Sequence, residues 1–128
     1  SSQHSQAHTL DPGLHSRWGS VVPGREVQAL ALFDETVGYY GRLIEAGKLT
    51  SFEPFLFSTS DFDTEQGFFI LKGPVTEIFS VMDSDEYKTL VTKANLLLHH
   101  VNISLLTLGD GVVEQLARFD KARADLHV

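Results

Sequence analysis

The residue types best suited to chemistry lie close together in the C-terminal third, in the run His99-His100-Val101-Asn102-Ile103-Ser104. A strand is expected over residues 99–108, and in an extended chain alternate side chains share a face. That puts His100, Asn102, Ser104 and Leu106 on one side, with Val101, Ile103 and Leu105 on the other. An imidazole that titrates near neutrality, set beside an amide and a hydroxyl, can carry a proton to or from a bound molecule. His100 is therefore the candidate acid/base group. His99 points the opposite way in an extended chain, so the two rings are not placed to share one metal. The first strand, expected over residues 17–22, adds Trp18 and Ser20 in alternating register. The expected ligand site is thus Trp18, Ser20, His99, Asn102 and Ser104 around His100.

Other chemistry-bearing groups read as structural. Asp61, Asp63 and Glu65 resemble a cation loop by composition only, since a calcium loop needs glycine sixth and glutamate twelfth. Those positions hold Gln66 and Lys72, so a solvated acidic loop is expected. Glu53, beside Pro54, reads as an edge-strand charge that discourages wrong pairing, or else as a buried carboxylate with a raised pKa. His4, His8 and His15 match no compact ligand spacing and fall in a polar stretch, residues 1–16, expected to be a tail. The absence of cysteine excludes disulfides, thiolate ligands and a cysteine nucleophile. No nucleophile elbow, phosphate-cradling glycine loop or HExxH pattern occurs. Neither a metal nor a tightly bound cofactor is expected.

These residues must be held by one domain, expected over residues 17–128 of a 128-residue chain. The net charge of -7 and the scattering of the ten basic residues argue against a nucleic-acid partner. No apolar run reaches the roughly 18 residues of a membrane span, and the first residues lack the apolar core of a secretory signal. A cytoplasmic location is expected, in keeping with the missing cysteines.

After Pro23-Gly24, the residues Val27, Leu30, Phe33, Val37, Tyr40 and Ile44 recur at helical spacing, and Gly47 stands where that helix should stop. A strand over 52–58 contains Pro54, which confines it to a sheet edge. The run Gly67-Phe68-Phe69-Ile70-Leu71-Lys72-Gly73 reads as a strand buried on both faces. A broken helix follows, over 75–82 and again from Asp83, the expected cap, with Glu86 completing a capping box. Its second piece carries an apolar stripe of Tyr87, Leu90, Val91, Ala94 and Leu97. After the strand at 99–108, Gly109-Asp110-Gly111 turns into a last helix, with Leu116 and Phe119 as contacts and a frayed end at 121–128.

Strand-helix-strand-strand-helix-strand is the split βαβ plan: an α+β, ferredoxin-like fold with a four-stranded antiparallel sheet and helices on one face. On the third strand both faces are apolar, Phe68 and Ile70 against Phe69 and Leu71. The face without helices then needs a cover, and a second copy related by a two-fold is the simplest one.

This order of elements resembles the dimeric α/β-barrel superfamily. Within it, Leu43-Ile44-Glu45-Ala46-Gly47-Lys48-Leu49, the Gly67 strand and Asp83-Ser84-Asp85-Glu86-Tyr87 look like the YCII-related small proteins, a resemblance covering residues 17–108. It implies protomers that pair sheet to sheet as a homodimer, with a cleft in each. YCII-related proteins are thought to use a histidine in the first helix and an aspartate before the second half-helix. Here the first helix offers Tyr39 and Tyr40 but no histidine, so that activity does not carry over. A haem-binding, monooxygenase-like branch has an axial histidine near where His99 stands, but its strand asparagine is replaced here by Ser20. The expected function is binding or conversion of a small organic molecule in a cleft between sheet and helices. The alternative is a non-catalytic structural or regulatory dimer.

Overall fold

Alternation along four strands decides which side chains meet the helices. The computed structural model describes residues 12–59, 61–107 and 110–127. Strands β1 (Pro12–Trp18), β2 (Ser51–Leu56), β3 (Gly67–Lys72) and β4 (Asn102–Thr107) form one antiparallel sheet in the order β2-β3-β1-β4. Helices α1 (Glu26–Glu45), α2 (Val75–Asp83), α3 (Asp85–Leu97) and α4 (Asp110–Asp125) complete an α+β fold. Pro54 lies on β2, an edge strand, where its missing N–H leaves no gap in an internal ladder. The strand order agrees with the split βαβ plan.

The first strand begins earlier than its composition suggests. Residues 12–16, expected to be tail, form most of central strand β1, and His15 with them. Leu14, Ser16 and Trp18 alternate with His15 and Arg17, so the period is present, but Ser16 interrupts its apolar series. A strand bonded on both sides takes its backbone partners from β3 and β4, whatever its outward side chains are. Residues 19–22 leave the sheet and pair with the end of α3. Gly19 N–H donates to the His99 carbonyl at 2.8 Å, and Val22 N–H to the Leu97 carbonyl at 2.8 Å. His4, His8 and Leu108 lie outside the described residues.

The core lies between the sheet and α1–α3. Leu14, Phe69 and Leu71 rise from the sheet to meet Leu32, Tyr39 and Tyr40 of α1, Ile78 and Val81 of α2, and Tyr87 and Leu90 of α3. Ile78, 0% exposed, is sealed completely. Helices α1 and α3 run antiparallel, with Arg42 bonded to Glu86 at 2.6 Å and Lys93 to Glu35 at 3.0 Å. With 20 residues, α1 is about 30 Å long, whereas α3, with 13, is about 20 Å. The first turns of α1 therefore overhang the end of α3. Val27 and Leu30, expected on the buried face, are 79% and 70% exposed for that reason.

Three local expectations shift. Ser84, not Asp83, caps α3, its Oγ accepting from Tyr87 N–H at 3.2 Å, while Asp83 is the last residue of α2. The Ser84 hydroxyl also donates to the Val81 carbonyl at 2.7 Å, so one side chain joins both helices. On β4, Ile103 and Leu105 are in register with Ser16 and Leu14, on the helix side as expected. Leu105 is nonetheless 46% exposed, because β4 is an edge strand. Helix α4 stays helical through Asp125, with Leu116 and Phe119 exposed rather than packed. Among the described residues no helix is long and apolar enough to cross a membrane.

Candidate ligand cavity

Where α1 overhangs α3, sheet and helices do not close on each other. A cavity of about 520 Å³ results, within the range that holds a drug-sized ligand. Its floor is Ser16 and Trp18 of β1, Phe69 of β3 and Ile103 of β4. Phe33 and Tyr40 of α1, with Tyr87 and Leu90 of α3, form the roof. Glu26 and Leu30, on the overhanging turns, border it, and segment 19–22 contributes Val21.

The aromatic residues form one connected cluster. Ring centroids lie 4.8 Å apart for Trp18 and Phe69, 5.6 Å for Phe33 and Phe69, and 6.4 Å for Trp18 and Phe33, the last edge-on. Such pairs hold a rigid apolar surface. Gly67 is what lets the indole lie there: a Cβ at that position would meet Trp18 Cζ2 at 2.8 Å and the Phe55 carbonyl at 2.6 Å.

Few polar groups face this space, and some are already engaged. Thr36 Oγ1 donates to the Leu32 carbonyl within its own helix at 2.8 Å. Glu26 Oε1 accepts from Gly24 N–H at 3.3 Å. Arg17 contributes to the wall, but its guanidinium pairs with Glu65 at 3.2 Å. Among the described residues the hydroxyls of Ser16, Tyr40 and Tyr87 remain, together with the buried Nε–H of Arg17. The Tyr87 hydroxyl is buried without a hydrogen-bond partner among the described residues. Burial, and then the neighbouring Tyr87 and Tyr39, hold the Tyr40 phenol far above its ordinary range. Burial, and then Tyr39, push Tyr87 up to about 12. Both phenols are thus neutral O–H groups at any physiological pH. Tyr39, next to them, is engaged: since the Ser84 proton goes to Val81, Tyr39 donates to Ser84 Oγ at 3.0 Å.

The residues expected to form the site do not converge. Trp18 lines the cavity. Ser20 does not; it is held by its backbone, N–H to the Asp63 carbonyl at 3.1 Å and carbonyl to His99 N–H at 2.8 Å. His99 and His100 precede β4 rather than belonging to it, both exposed, with His100 in the left-handed region at φ 57°. The expected strand face shared by His100, Asn102 and Ser104 therefore does not exist, because α3 runs to Leu97 and the chain must still turn. Asn102 and Ser104 do lie on β4, exposed on the helix-free face and separated from Trp18 by the sheet. The acidic loop is folded on itself: Glu65 N–H donates to the Asp61 carbonyl at 2.8 Å, and Asp63 N–H to Asp61 Oδ1 at 3.2 Å. No group of three or more His, Asp or Glu able to hold a metal occurs among the described residues. Glu53 is exposed and pairs with Lys72 at 3.4 Å, as an edge charge does.

The helix-free face carries a second aromatic group. Phe55 stacks on Phe68 at 4.8 Å and 17°, and His15 and Phe57 approach the same ring at 5.0 and 5.7 Å.

Ser16, Phe33, Tyr40 and Tyr87 are among the cavity residues that sequence reasoning did not single out as a site. The signal available was the pair of tyrosines inside otherwise aliphatic helical stripes, where each polar tip needs somewhere to go. No protein-family model matches the chain, and no curated protein matches it significantly.

Proposed function

We propose that this protein binds a small, mainly apolar organic molecule between its sheet and helices, and does so as a homodimer of the dimeric α/β-barrel type. The observation that carries the proposal is the 520 Å³ cavity, walled by Trp18, Phe33 and Phe69 and bordered by the overhanging turns of α1. An apolar space of this size in an otherwise packed domain forfeits dispersion contacts that an occupant would restore. Binding, rather than acid/base turnover, is favoured because among the described residues no imidazole lines the cavity and the one lining carboxylate, Glu26, is on the overhang. The homodimer is supported by the helix-free face. There Phe55, Phe57, Phe68 and Ile70 lie between the ion pairs Arg17–Glu65 and Lys72–Glu53. A face with both signs of charge around an apolar centre is self-complementary under a two-fold.

Titration with the neutral fluorophore N-phenyl-1-naphthylamine tests the cavity. Trp18 is the only tryptophan in the chain and sits in the wall, so it reports occupancy by energy transfer. Saturable binding at one probe per chain, abolished by Ala94→Phe, supports the reading. Absent binding, or binding indifferent to Ala94→Phe, overturns it. Sedimentation at working concentration tests the dimer: wild type should run as a dimer and Phe68→Asp as a monomer.

A further inference from the structure

The cavity also discriminates among apolar molecules. Among the described residues its uncommitted hydrogen-bonding groups are hydroxyls and the buried Nε–H of Arg17, whose guanidinium otherwise holds Glu65. Tyr87 O–H is sealed in without a partner, and Tyr40, from the facing helix, shares the roof with no hydrogen bond to its own hydroxyl among the described residues. We propose that the ligand is an uncharged, planar or near-planar molecule bearing a hydrogen-bond acceptor of the ketone or quinone kind, which accepts from Tyr40 and Tyr87 while its apolar body lies against Trp18, Phe33 and Phe69. This deepens the cavity reading above and rests on it.

Four features set this chemistry. A buried donor without a partner is costly, so a ligand acceptor there gains more than the same bond made in water. Burial keeps both phenols protonated, so they present donors and not phenolates. A carboxylate or phosphate, by contrast, would have to shed its water, and the one cation in the lining among the described residues, Arg17, already has its charge matched by Glu65. Glu26 at the border adds repulsion toward anions. The aromatic walls, with their centroids 4.8 to 6.4 Å apart, favour a flat body over a branched one.

The test uses three probes of nearly equal shape, 2-acetylnaphthalene, 2-isopropylnaphthalene and 2-naphthoate, titrated by calorimetry against wild type and the Tyr40→Phe/Tyr87→Phe double variant. Wild type is expected to bind the ketone about three- to tenfold more tightly than the hydrocarbon, the ratio a net hydrogen bond gives. The double variant should bind both neutral probes equally, with hydrocarbon affinity unchanged, which also shows that the cavity is intact. Naphthoate should bind more weakly than either. Equal binding of ketone and hydrocarbon to wild type, a preference that survives the double variant, or tighter binding of naphthoate would each overturn the acceptor proposal while leaving the cavity reading standing. Failure of all three probes to bind would instead overturn the cavity reading itself.

Discussion

Replacing Tyr87 with phenylalanine should make the ligand-free protein more stable. The side chain is 6% exposed, and its hydroxyl is sealed from water with no partner among the described residues. A buried hydroxyl that exchanges its water for nothing costs about 1–3 kcal/mol, and deleting it returns that cost with no change in the ring. For a chain of this length, each kcal/mol moves the midpoint by roughly 3–6 °C. An increase of roughly 3–18 °C is expected, with urea unfolding showing a higher midpoint at an unchanged slope. Tyr39→Phe is the matched control. It deletes a hydroxyl that donates to Ser84 Oγ at 3.0 Å, and should lose about 0.5–1.5 kcal/mol instead. Opposite signs from one atom deleted in adjacent phenols would be hard to produce any other way. A Tyr87→Phe protein that is no more stable than wild type would refute the reasoning, because the hydroxyl would then have a partner or water.

Further outcomes follow from the same geometry. Ile78→Ala should cost about 2–5 kcal/mol by urea unfolding, since its side chain is 0% exposed, whereas Leu105→Ala should cost under about 1 kcal/mol. Ser84→Ala removes the α3 cap and strands the Tyr39 hydroxyl, for a loss of about 1–2 kcal/mol measured the same way. Gly67→Ala should push the indole off its seat, seen as a red-shifted Trp18 emission and loss of naphthylamine binding. Stability should also fall as the medium turns alkaline. The phenols ionise near pH 10 when unfolded but only at higher pH when folded, so the folded state holds more protons above pH 10. Each such tyrosine steepens the decline by about 1.4 kcal/mol per pH unit, present below pH 10 and lost above it. Tyr40→Phe should flatten the slope of unfolding free energy between pH 10 and 12; an unchanged slope would contradict the burial assigned to Tyr40.

Much of the fold was legible because it rests on periods. Pro54 marked an edge strand, the Gly67 run marked a central one, and the face assignments of Phe69, Leu71 and Ile103 follow from alternation. What composition hid was β1, where Ser16, His15 and Arg17 read as polar tail yet occupy a central strand whose ladder partners lie far away in the chain. The site was barely legible, for a related reason. Whether Leu30 meets the core depends on the relative lengths and offset of α1 and α3, not on its own helical position. The cavity is a product of that offset. His100 was misplaced by a boundary error of a few residues, which in a strand reassigns a side chain completely. Tyr40 and Tyr87 were visible as core, but an unsatisfied hydroxyl is a property of three-dimensional neighbours that spacing does not carry.

Crystals soaked with 1-bromonaphthalene give the most direct measurement of where an apolar molecule rests, since bromine is located by its anomalous signal. The expected result is a single strong site between Trp18, Phe33 and Phe69, on the helix side of the sheet. A cavity left without bromine, or bromine confined to the Phe55–Phe68 stack on the opposite face, would contradict the proposal that the space under α1 is a binding site.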